Sequence, residues 1–163
     1  MASRDRMLKI FTRKQLYIYF ITNLLINAIV PYFGFEEDRH AVSLFHGAHS
    51  MARFLIPMSV FVPFGVTFDI LKKCITFSEK NGLGPLLPAG YARVPFMLKL
   101  AGVNALATGA LVVGVMWVVH MSIPAGYSFE GGWMALISGG IAGGLAILFT
   151  WLPLYVVKKL PSA

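Results

Sequence analysis

Apolar residues in this chain do not alternate with polar ones. They run on in four long stretches, 15–35, 51–71, 95–121 and 133–157. Each approaches or exceeds the roughly 20 residues that a helix needs to cross a hydrocarbon core. Backbone N–H and C=O groups have no water to bond inside a bilayer, so a spanning segment must satisfy them within itself. Barrel strands would show a period of two, and these runs lack it. The pattern predicts an all-α polytopic membrane protein with four transmembrane helices. Prolines punctuate them. Pro31 falls near the end of the first, Pro57 and Pro63 inside the second, and Pro153 in the last turn of the fourth. The second helix is therefore expected to bend or unwind locally.

The breaks between the runs suggest an organisation. Residues 1–14 form a basic arm. It is read as a retained cytoplasmic tail, because Asn23 and Asn27 interrupt the apolar run behind it and no small-residue cleavage site follows. Residues 15–73 read as a first transmembrane hairpin with a polar outer loop, helical again from about Val42. Residues 74–94, with KNGLGPLLPAGYAR, read as a Gly/Pro-rich cytoplasmic linker. Residues 95–159 are a second hairpin and 160–163 a tail. Each half shows a basic approach, a helix carrying a polar pair four residues apart, an outer loop, and a helix ending in Lys-Lys. Such a repeat is parallel, about an axis along the membrane normal. The expected architecture is a four-helix bundle of two parallel helical hairpins.

Composition agrees with a bilayer as the solvent. Of the 163 residues, 57% are hydrophobic and 13% charged, where a soluble domain carries about 25% charged residues. The mean hydropathy is +0.71. The net charge of +7 and pI near 9.8 are read as topological signals and contacts to anionic lipid headgroups, not as a nucleic-acid surface. With both termini cytoplasmic, the inner segments hold twelve of the fourteen basic residues and three of the seven acids, a net of +9. The outer loops hold Arg39 and Arg53 with four acids, a net of −2. This is the bias expected of short cytoplasmic segments, and a bacterial inner membrane is the expected location. The single Cys74 excludes an internal disulfide.

Candidate chemistry is sparse. The polar residues expected inside the membrane are neutral: Asn23, Asn27, Asn104, Thr108 and Ser138. Asn23 with Asn27, and Asn104 with Thr108, each share a helix face. They are expected to bond across the first and third helices, or to line a path for a small polar solute or ion. Asp69, near the inner surface, is expected to pair with Lys72, Arg93 or Lys99. Two overlapping small-residue pairs, Gly139 with Gly143 and Gly140 with Gly144, mark the fourth helix, and Ala101, Ala105 and Gly109 the third. Small residues let helix backbones approach closely, so these faces are expected to pack together or to make an oligomer seam.

The densest polar stretch is 35–53. It holds Glu36, Glu37, Asp38, Arg39, His40, His46, His49 and Arg53, and His120 is expected to end on the same side. If helical, His46, His49 and Arg53 share a face. Imidazole with carboxylate can hold zinc, copper or iron. His46 and His49 are thus candidate ligands of a metal or haem, although no third ligand stands at a fixed spacing. No phosphate-binding glycine loop, nucleophile elbow or mid-depth carboxylate pair is present. Three functions fit: a non-enzymatic accessory or scaffold subunit of a homo-oligomer or larger membrane complex, a small homo-oligomeric transporter or channel, and a metal-site or redox protein.

Overall fold

The computed structural model describes residues 2–35, 41–47, 50–88, 90–124 and 126–160, with side chains from Asp5 onward. These form four long helices: α1 (Ala2–Gly34), α2 (Met51–Lys80), α3 (Arg93–Ser122) and α4 (Gly131–Lys158). All four are long and apolar enough to cross a membrane.

Two boundaries differ from the sequence reading. The basic arm is not separate, because α1 is helical from Ala2. Nothing before Pro31 breaks it, and its first turns are held in place: Thr12 is buried beside Cys74, and Phe11 stacks on Phe77 with ring centroids 4.3 Å apart. α2 likewise continues to Lys80, so the link to α3 shortens to residues 81–92. That link turns at Gly82 and Gly84, whose φ values of 62° and 81° suit glycine. The Ser78 hydroxyl donates to the Gly84 carbonyl across the turn.

A third correction concerns residues 41–47, which are not helical. Val42 instead forms an antiparallel bridge with Phe129, through N–H···O bonds of 3.0 and 2.8 Å. Gly47, at φ 89°, also lies outside helical backbone. The bridge joins the α1–α2 connection to the α3–α4 connection at one end of the molecule.

The helices do not pack as two consecutive hairpins. α1 packs most extensively on α4, and α2 on α3. α2 also meets α4 and, over a smaller area, α1. α3 makes no substantial helix contact with α1 or α4. The small-residue faces explain this pairing. A Cβ added to Gly139 would lie 2.7 Å from both the Ala28 Cβ and the Leu24 carbonyl, and one on Gly143 would lie 2.9 Å from the Phe20 ring. Gly109 gives way in the same manner to Val60 of α2, beside the buried Ala101 and Ala105. Each small face thus takes larger side chains from a neighbour. The small faces of α3 and α4 thus turn to different partners and not to each other. Gly140 and Gly144 have open space where a Cβ would go.

Gly139→Ala therefore places a methyl group against backbone and is expected to destabilise by about 1–3 kcal/mol, the usual cost of overpacking. Gly140→Ala meets nothing and is expected to leave stability unchanged. Detergent-induced unfolding in mixed micelles, followed by circular dichroism, compares the two. Equal losses would refute the packing asymmetry.

Candidate functional site

The polar side chains of the helices gather in three places. The first lies between α1 and α2, nearer the lysine-rich end. The Tyr19 hydroxyl donates to Asp69 Oδ2 at 2.6 Å. The Lys73 ammonium meets the same oxygen at 2.6 Å. It also reaches the Tyr19 hydroxyl at 3.2 Å and Gln15 Oε1 at 3.4 Å. An ammonium has three N–H donors, and here three acceptors receive them. The partner of Asp69 is therefore Lys73, not Lys72, Arg93 or Lys99. Asp69 and Lys73 stand four apart on one helix face, a spacing that favours an ion pair, and that spacing could have identified it. Arg93 instead pairs with Glu79. Two exposed charges add little to stability by themselves. Tyr19, however, is buried, and it makes the network a cross-link between helices.

From this network a groove of about 550 Å³ runs along the α1–α2 seam to Arg53 and Phe54. Asn23 and Asn27 line its middle, among Ile26, Val30, Phe61 and Val62. Both amides bond within their own helix: Asn23 Nδ2 donates to the Tyr19 carbonyl and Asn27 Nδ2 to the Asn23 carbonyl, each at 2.8 Å.

The second place is the α2–α3 seam. Buried Asn104 donates to Thr67 Oγ1 at 3.1 Å, and the Thr108 hydroxyl donates to the Asn104 carbonyl at 2.8 Å. The expected bonding between the first and third helices is thus absent. α1 and α3 are not neighbours, and the two polar pairs face different seams. Thr67 escaped the sequence reading because one threonine in an apolar run carries no signal of its partner. Ser138 of α4 is buried, and its hydroxyl has no partner among the described residues.

The third place is the opposite end. His46 and His120 come together with ring centroids 5.8 Å apart, and His120 also packs edge-on against Phe45 at 5.3 Å. The Ser43 hydroxyl donates to the His46 carbonyl. His46 precedes α2, so it does not share a helical face with Arg53 as expected. His40, His49, Glu36 and Asp38 lie outside the described residues. Among the described residues no three His, Cys, Asp or Glu side chains gather as a metal site would require.

No family model, curated protein or solved structure matches the chain.

If Tyr19, Asp69 and Lys73 act as one network, Tyr19→Phe and Asp69→Asn are each expected to destabilise. The double variant should lose less than the sum, by at least about 0.5 kcal/mol. A double-mutant cycle in mixed micelles measures this, and strict additivity would show that the hydroxyl and carboxylate act independently. Asn104→Leu is expected to cost about 0.6 kcal/mol, the average for a bond between membrane helices.

Proposed function

We propose that this chain is a non-enzymatic assembly subunit, a membrane protein that offers its helix faces to other membrane helices. One observation carries the reading: apart from Ser138 on α4, the deep polar residues are divided between two seams, and most of them are already bonded there. Asn104 and Thr108 are committed to the α2–α3 seam. Tyr19, Asp69 and Lys73 close on one another. A transport path shared by Asn23, Asn27, Asn104 and Thr108 would need α1 beside α3, and α3 packs on α2 instead.

What the chain leaves open is apolar helix surface. In the most apolar window of α1 only 11% of the residues are buried, and in that of α3 28%, against 50% in α2. The exposed side chains include Ile21, Leu25, Ile29 and Phe33 on α1, and Val103, Leu106, Leu111 and Val118 on α3. Lipid chains or partner helices are suitable cover for such faces. In this reading the lysine-rich end faces the cytoplasm, where Arg6, Lys9, Lys72, Lys158 and Lys159 meet anionic headgroups.

Two experiments test this. Crosslinking in the native membrane, followed by native mass spectrometry in nanodiscs, is expected to show the chain within a larger assembly. A solitary monomer under both conditions would overturn the reading. For orientation, cysteines are placed singly at Glu130 and Glu79 in a Cys74→Ser background. An impermeant maleimide applied from outside the cell should label Glu130→Cys and spare Glu79→Cys. The reverse pattern would invert the topology.

A further inference from the structure

The groove between α1 and α2 carries one feature that the fold leaves unfinished. A side-chain amide has two N–H donors and an acceptor oxygen. Asn23 and Asn27 each spend one N–H on their own helix. Among the described residues, neither amide oxygen has a partner, and neither does the second N–H. Both residues lie on one face of α1, four apart, in a groove otherwise lined here by Ile26, Val30, Phe61 and Val62. These amide groups open on the groove, and covering them with apolar groups alone would be unfavourable, so two of them point to an occupant that brings both donors and acceptors.

We propose that the occupant is α1 of a second copy of this chain, seated in parallel about a twofold axis that runs along the helices. The inference rests on the assembly reading above and names the partner. An amide is self-complementary: it can donate to another amide and accept from it. A twofold axis along the membrane normal sets each asparagine opposite its own counterpart at the same depth, since such an interface uses one patch on both subunits. The reciprocal bonds thus need no other chemistry. A lipid chain fills the volume but has no donor to offer the oxygens. Among the described residues, the lining of the groove's middle carries no charged side chain. The carboxylate at its end, Asp69, is held by Lys73 and Tyr19.

Shape agrees with this occupant. Gly65 lines the groove and has open space where a Cβ would stand. α1 is also the helix least covered by its own chain, so it has a face free to enter the other groove while its own groove receives the partner. A polar asparagine buried between otherwise apolar helices also fixes their register and number.

The test uses the full chain, reconstituted in phosphatidylcholine–phosphatidylglycerol vesicles. In a Cys74→Ser background, Asn27→Cys and Gly140→Cys are oxidised separately with copper phenanthroline. A disulfide-linked dimer is expected for Asn27→Cys and none for Gly140→Cys, which sits on the open face of α4. No dimer at position 27, or a dimer at position 140 alone, would overturn the proposal. Energy transfer between donor- and acceptor-labelled copies supplies a second measurement that needs no cysteine in the groove. Asn23→Leu/Asn27→Leu, which keeps the bulk and removes the amides, is expected to weaken self-association about tenfold. Unchanged association in that variant would overturn it too, as would a monomer that carries bound lipid in native mass spectrometry. A larger assembly with a different protein, uncrosslinked at position 27, would refute this partner and leave the assembly reading standing.

Discussion

α2 is the wall on which the other three helices are arranged, and it meets each of them by a different physical device. Toward α1 it offers charge and hydrogen bonding through Asp69 and Lys73. Toward α3 it offers Thr67 to an amide and Val60 to a glycine. Toward α4 it contributes apolar packing, in a core that includes Met58, Val62, Ala142 and Phe149. Two prolines lie along this wall, and each withholds a backbone donor from the turn before it. α2 nonetheless remains one continuous helix from Met51 to Lys80, because neighbours enclose it on three sides.

The number and type of elements were legible in the sequence, since a long apolar run can satisfy its backbone only as a helix. The pairing of those helices was not legible. In a water-soluble bundle a polar face marks the outside, but here both sides of a helix are apolar. On α4, Ala135, Ala142 and Ala146 are buried while Leu136, Ile137 and Leu148 are exposed, so size and not polarity separates the two sides, and size alone does not say which neighbour fills the small one. The repeated pattern of the two halves suggested hairpin with hairpin. What decided the pairing was the fit of large side chains into small faces, as with Phe20 on Gly143 and Val60 on Gly109.

The polar sites divide in a similar way. The residues themselves were visible, because any Asn, Asp or Lys stands out against such a background. Their partners were visible only where spacing along one helix fixes them, as for Asp69 and Lys73. The union of His46 with His120 depends on the bridge between Val42 and Phe129, a contact between two connections that no periodicity encodes. The end of α1 is equally a tertiary matter. Phe35 is buried against Phe54, and Gly34 lies so close to that ring that a side chain there would collide with it.

The packing of α1 on α4 has a consequence for how the chain is made. Synthesis delivers α1 first and α4 last, and domains form as their parts emerge. α2 and α3 can close on one another as soon as both exist, because few residues separate them. α1 must hold its place beside α2 alone, by the small polar staple of Tyr19, Asp69 and Lys73, until its main neighbour arrives. During that interval the side of α1 that will receive Gly139 and Gly143 is bare. The order of birth and the order of docking are thus nearly opposite, and the earliest helix is the last to be completed.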